Sequence, residues 1–180
     1  MSGRFIAICG PSGVGKDSVM EALTAADPRF VLARRVITRP GDAGGEAFDG
    51  VTAAEFAARA EAGEFALHWP AHGMHYGIPN AVDADLAAGK DVLANLSRAA
   101  LPEAQARFAR VEVILLTTNR DALAARLAAR GRETAQDIER RLERADFAMP
   151  EGIAHHAIDN SGALEQTVKT VLARLYPVKA

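Results

Sequence analysis

The stretch Gly10-Pro11-Ser12-Gly13-Val14-Gly15-Lys16 constrains this chain more than any other. The apolar run Phe5-Ile6-Ala7-Ile8-Cys9 precedes it, and Val19, Met20 and Leu23 follow at helical spacing, so the glycines and the lysine fall between a buried strand and a helix. A loop in that position curls its backbone N–H groups around an anion, through conformations that a Cβ obstructs. Lys16 adds a point charge, and the helix beside it contributes its positive end. Gly10 to Lys16 therefore read as a phosphate-binding loop. The hydroxyl that usually follows the lysine is displaced: Asp17 stands there, and Ser18 comes one position later.

A chain of 180 residues can bury one substantial core. A formal net charge of -2 argues against a general nucleic-acid or anionic-membrane surface, so anion binding has to be local. Arginine outnumbers lysine 17 to 4, which suits planar, bidentate recognition of phosphates. The single cysteine, Cys9, excludes an internal disulfide. No apolar stretch reaches the length of a membrane span, and none precedes the glycines as a secretory segment. These features predict a cytoplasmic protein with neither a nucleic-acid nor a membrane partner; they leave oligomeric state open.

Along the chain, strands alternate with helices. After the first helix come a strand at Phe30-Ala33 and the segment Arg34-Arg35-Val36-Ile37-Thr38-Arg39-Pro40, whose arginines and threonine mark an anion-binding edge. A glycine-rich stretch, Gly41 to Glu46, reads as a mobile loop. Capping boxes at Thr52/Glu55, Thr118/Asp121 and Thr134/Asp137 open three helices. Strands are predicted at 64–69, 91–96, 111–116 and 157–159, and the last helix at 163–175. The pattern implies a parallel, doubly wound α/β sheet, with its ligand at the carboxyl ends of the strands. One domain is expected, with its core in residues 1–29 and 90–180 and a small α+β insertion at about 30–89.

The segment 126–144 interleaves six arginines with four acids, and a solvated, salt-bridged face accounts for Arg126, Arg140 and Arg144. Arg130 and Arg132 flank Gly131 between two helices, so residues 130–141 read as an arginine-rich lid that closes on ATP. His68, His72 and His75 match no metal-binding spacing.

Together, the glycine loop, Thr38-Arg39-Pro40, Tyr76-Gly77, and Arg130-Gly131 followed by Arg141-Leu142 resemble the guanylate kinase superfamily over almost the whole chain. The resemblance implies a P-loop kinase in which the first loop holds ATP and the insertion holds an acceptor monophosphate. It also implies that Arg39 and Tyr76, with Thr38, grip the acceptor phosphate, that Arg130, Arg132 and Arg141 contact the transferred and flanking phosphates, and that Asn160 touches adenine. The sequence departs where those enzymes read guanine: Leu67 replaces a glutamate, and Asn95-Leu96-Ser97-Arg98 replaces a segment carrying an aspartate.

Lys16-Asp17-Ser18, Ile37-Thr38-Arg39-Pro40, His68-Trp69-Pro70-Ala71-His72-Gly73 and Leu93-Ala94-Asn95-Leu96-Ser97-Arg98 resemble more closely the ribose 1,5-bisphosphate phosphokinase family of bacterial phosphonate degradation. That implies transfer of the ATP γ-phosphoryl group to a sugar phosphate, with Arg98 the expected contact to its additional phosphate. A carboxylate beside the nucleotide phosphates repels them unless it acts through Mg²⁺, so Asp17 and Ser18 are the expected metal ligands; helix capping is the alternative for Asp17. Two other readings stay open from sequence: a nucleoside monophosphate kinase with altered base preference, and a non-catalytic binding module of the same fold. The intact Lys16 speaks against the module.

Overall fold

In β1 (Phe5–Cys9), successive side chains leave opposite faces of the backbone, and every residue is buried. Only a strand covered on both sides can be apolar in that way. The computed structural model, which describes residues 1–41, 47–131, 133–144 and 148–178, places β1 at the centre of a five-stranded parallel sheet. Its other strands are β2 (Phe30–Leu32), β7 (Asp91–Asn95), β8 (Val111–Thr117) and β9 (His156–Asp159), in the order β2-β7-β1-β8-β9. The sheet is doubly wound, as the alternation of strands and helices predicts.

Ile6 and Ile8 meet α1 (Lys16–Ala26) through Val19, Met20 and Leu23, and α7 (Leu164–Leu175) through Val168 and Val171. Phe5, Ala7 and Cys9 face the other way, onto Leu101 and Ala104 of α4 (Leu101–Arg107) and onto Phe108, whose ring stacks on Phe5 at 4.1 Å. Each large apolar side chain removed from water in this way contributes about 1.5–3 kcal/mol.

A second sheet, ordered β4-β3-β6-β5, rises from the carboxyl edge of the first. It comprises β3 (Val36–Ile37), β4 (Asp49–Gly50), and a hairpin of β5 (Phe65–Ala71) and β6 (Met74–Pro79) that turns at His72-Gly73. Pro70, which has no N–H to donate, lies in β5 at the sheet's edge. α2 (Ala53–Glu61) begins with the predicted box: Thr52 Oγ1 accepts from Glu55 N at 3.1 Å, and Glu55 Oε2 accepts from Thr52 N at 3.0 Å. α3 (Val82–Ala87) returns the chain to the core.

Two expectations need correction. Phe30–Leu32, read as the start of the insertion, pairs in parallel with Asp91–Leu93 and so belongs to the core sheet; the excursion starts after it. The cap of α5 (Arg120–Ala129) is Asn119, whose Oδ1 accepts from Ala122 N at 2.7 Å. Thr118, the predicted cap, instead shares a 3.2 Å hydrogen bond with the Ser161 hydroxyl.

α6 (Ala135–Arg144) opens on the predicted Thr134/Asp137 box, in which Asp137 N donates to Thr134 Oγ1 at 3.2 Å. α5 and α6 share a small core of their own, Leu123, Leu127 and Leu142 with Ile138, distinct from the two clusters that flank the main sheet. Residues 42–46 of the glycine-rich stretch, and 145–147 at the predicted end of this last helix, lie outside the described residues.

Candidate active site

The phosphate loop links β1 to α1 at the carboxyl edge of the sheet, where open α/β folds bind their ligands. Gly13 and Gly15 hold φ of 87° and 101°, which side chains rarely adopt. A Cβ on Gly15 would lie 2.7 Å from the Asn160 amide nitrogen, and one on Gly13 would lie 2.9 Å from Leu127 Cδ2. The glycines therefore serve both the curl of the loop and its close seat on α5 and β9.

Lys16 Nζ folds back onto the loop, donating to the Gly10 carbonyl at 2.7 Å and to the Pro11 carbonyl at 3.3 Å. Burial pulls its pKa down to about 8, against the opposing pull of Asp17. The desolvated ammonium is thus left with two carbonyls, and an anion entering the loop would solvate it better. Asp17 is half-buried in the first turn of α1; its Oδ1 is buried without a hydrogen-bond partner, and α1 has no side-chain cap. Ser18 is exposed in the same turn.

Asn160 is placed differently from its expected position against adenine. It is 5% exposed; its Nδ2 donates to the Val14 carbonyl at 2.8 Å and its Oδ1 accepts from the Thr167 hydroxyl at 2.6 Å. Its amide is therefore spent on the underside of the loop. Arg126, read from sequence as part of a solvated face, reaches the same point: Nη1 donates to the Val14 carbonyl at 3.1 Å and Nη2 to the Asn160 carbonyl at 2.6 Å. Arg126 lies one helical turn before Arg130 on the same face, a spacing that ties it to the lid arginines.

Of the lid arginines, Arg141 touches the loop: its Nη1 donates to Ser12 Oγ at 2.6 Å, and its Nη2 pairs with Glu133 at 2.7 Å. Arg130 is exposed at the end of α5, and Arg132 lies outside the described residues. An ion pair between Arg120 and Glu139, 2.5 Å long, ties α5 to α6.

Across the cleft, Thr38 and His75 exchange hydrogen bonds: Thr38 N donates to the His75 carbonyl at 3.1 Å, and His75 N donates to Thr38 Oγ1 at 2.8 Å. Thr38, Arg39, Gly50, Thr52 and His75 line an open groove of about 590 Å³. The Arg39 guanidinium lies 4.1 Å from the Phe48 ring centroid, a stacked contact that fixes the plane of its donors. Tyr76 is packed between Trp69, parallel to it at 5.7 Å, and the Arg35 guanidinium at 4.9 Å. Arg98, half-buried in a 3₁₀ turn after β7, has its pKa lowered by burial despite Cys9. Leu67, which the sequence resemblance sets against a base-reading glutamate, is 4% exposed in the apolar cluster.

The site thus combines an anion cradle, an arginine of α6 on its rim and a groove that carries Arg39 opposite, which suits transfer of a phosphoryl group between two phosphates. Among the described residues there is no group of three or more His, Cys, Asp or Glu able to hold a metal. A Mg²⁺ ion shared with phosphates needs no such cage; the orphaned carboxylate oxygen of Asp17 is a hard donor that suits it, and Ser18, next in the chain, carries a hydroxyl of the same kind. No helix among the described residues is long and apolar enough to cross a membrane.

Residues 2–175 match the family model described as guanylate kinase. The chain is similar to a protein of Ruegeria sp. named ribose 1,5-bisphosphate phosphokinase PhnN, 53% identical over 92% of this chain and 88% of that one. A protein of the same name from Agrobacterium fabrum is 48% identical over 93% of each chain. Among solved structures, a guanylate kinase from Anaplasma phagocytophilum superposes with a TM-score of 0.71 at 20% identity, covering 99% of this chain and 88% of that one.

Proposed function

Since this chain belongs to the guanylate kinase family, we propose that it transfers the γ-phosphoryl group of ATP to the 1-phosphate of ribose 1,5-bisphosphate, giving 5-phosphoribosyl 1-diphosphate and ADP. What carries this reading is Leu67, buried where the resemblance sets a base-reading glutamate, together with Asn95-Leu96-Ser97-Arg98 where it sets a segment carrying an aspartate. A leucine inside the apolar cluster cannot accept the N–H donors of guanine, and each donor left unmet in a buried pocket costs about 1–3 kcal/mol. A sugar bisphosphate has no base to read and a second phosphate to bind, which Arg98 suits. The names of the similar proteins point the same way.

In the proposed mechanism, the loop amides and Lys16 hold the β- and γ-phosphates. Arg141, at the loop rim, and Arg130 and Arg132, at the lid hinge, neutralise the charge that spreads over the transferring group. Thr38, Arg39 and Tyr76 hold the acceptor with its phosphate in line. The attacking atom is already an anionic phosphate oxygen, so no general base is required. Asp17 and Ser18 would hold Mg²⁺, which when bound neutralises charge on the nucleotide phosphates. The reaction draws on ATP, and the cytoplasm is its proposed location.

The test is ADP release from Mg·ATP with ribose 1,5-bisphosphate and, in parallel, with GMP. Turnover with the sugar alone is expected; turnover with GMP alone refutes the reading in favour of an unusual guanylate kinase.

A further inference from the structure

A carboxylate on the rim of a loop that binds phosphates repels the ligand unless a cation neutralises it, so its presence there calls for a reason. Glu133 is such a group. It stands two residues before α6, its side chain is 12% exposed, and its Oε1 pairs with Arg141 Nη2 at 2.7 Å. The other terminal nitrogen of that guanidinium, Nη1, donates to Ser12 Oγ on the phosphate loop at 2.6 Å. Glu133 Oε2 is buried and receives no hydrogen bond among the described residues. An acid serving stability alone would not keep an orphaned oxygen, which costs rather than contributes.

The helix that carries Arg141 is already held. Ile138 and Leu142 of α6 pack on Leu123 and Leu127 of α5, and Arg120 pairs with Glu139 across the two helices. The residue after Glu133 is pinned too: Thr134 N and Oγ1 donate to Asp137 Oδ2 at 3.3 and 2.8 Å, and Asp137 N donates back to Thr134 Oγ1. Asp137, one turn before Arg141, thus spends its carboxylate on Thr134, and the acid paired with Arg141 is Glu133. A free arginine side chain keeps several rotatable bonds, and fixing them at the moment of transfer would add to the barrier. Glu133 fixes them beforehand, through one nitrogen only. The other nitrogen rests on a neutral hydroxyl, a weaker acceptor than the charged phosphoryl oxygen that can take its place.

We infer that Glu133 is a positioning residue: it holds Arg141 by Nη2 over the phosphate loop, so that Nη1 passes from Ser12 to the transferring phosphoryl group with its direction already set. This inference deepens the proposed function and rests on it.

Glu133→Gln, which keeps the length and removes the charge, tests it in the full-length protein, alone and combined with Arg141→Ala. In steady-state assays with ribose 1,5-bisphosphate, Glu133→Gln is expected to lower kcat about 10- to 30-fold with the KM for the acceptor within about twofold. Calorimetric ATP affinity, read with no acceptor present, should be unchanged or higher, because a negative charge has left the rim. Glu133→Asp should recover part of the rate. In the Arg141→Ala background, Glu133→Gln should lower kcat no further, since the guanidinium through which it acts is gone. A merely structural role would lower Tm and act alike in both backgrounds. A kcat within about twofold of wild type, the same fold-loss in both backgrounds, or weakened ATP binding overturns the inference. Wild-type turnover with ribose 1,5-bisphosphate against GMP judges the proposed reaction separately: with GMP the only acceptor, that reading fails, and the same variant ratios measured with GMP still decide on Glu133.

Discussion

Replacing Asn160 by alanine separates support of the phosphate loop from contact with the nucleotide. The change removes two buried hydrogen bonds, to the Val14 carbonyl and from the Thr167 hydroxyl, worth about 1 kcal/mol each. The space left behind adds about 1 kcal/mol, since β9 and α7 close over it only in part. The sum is about 3 kcal/mol, or a fall of about 6–12 °C in Tm for a domain of this size. Thr167→Val alone leaves the buried Asn160 oxygen unpaired and should cost about 1–2 kcal/mol. In the double variant, the Asn160–Thr167 bond can be lost only once, so urea denaturation should show the two costs falling short of additivity by about 1 kcal/mol. The KM for ATP should rise in both single variants, since Thr167 acts on the loop through Asn160 while touching no ligand itself. Full additivity in stability, or a raised KM for ATP in Asn160→Ala with none in Thr167→Val, refutes this account and returns Asn160 to the adenine.

Two further predictions concern charge. Lys16 holds its proton below a pKa of about 8 and loses it above, so calorimetric ATP affinity should fall up to tenfold per pH unit beyond pH 8, with proton uptake on binding; affinity flat to pH 9.5 would refute the assignment. At the other end of the sheet, Asp91 accepts from the Arg4 side chain at 2.7 Å and from the Tyr176 hydroxyl, and those donors hold its pKa below the usual carboxylate value despite burial. The depressed folded-state pKa means that this contribution is full above about pH 4 and lost as pH falls through the folded value, so Asp91→Asn should cost about 3 kcal/mol at pH 7 and progressively less in acid. A cost independent of pH would show that the charge is not what matters.

What sequence reveals here follows the range of the interactions. The donor loop is legible because its glycines, its lysine and the flanking strand and helix are contiguous, and the boxes at Thr52 and Thr134 because capping spans three residues. The α5 cap went to Asn119 rather than Thr118, because neighbouring oxygens compete for one helix end and Ser161, 43 residues from Thr118, occupies the loser. Phe30–Leu32 looked like part of the insertion because its partner strand follows 61 residues later, on the far side of the second sheet. Asn160 and Arg126 lie 146 and 112 residues from Val14, and no local pattern announces such a meeting. Arg35 looks like any loop arginine until Tyr76 and Asn95 close around it.

The clamp beneath Val14 also has a consequence for how the protein is made. The loop is complete in the first tenth of the chain to leave the ribosome, but its lower surface is held by Asn160, which is itself fixed by Thr167 of α7. Arg4 bonds to the Leu175 carbonyl, so the start of β1 is also secured by the end of that helix. A nascent chain therefore carries the whole phosphate-binding motif long before it carries the support for it. The loop therefore reaches its final support only once β9 and α7 have emerged.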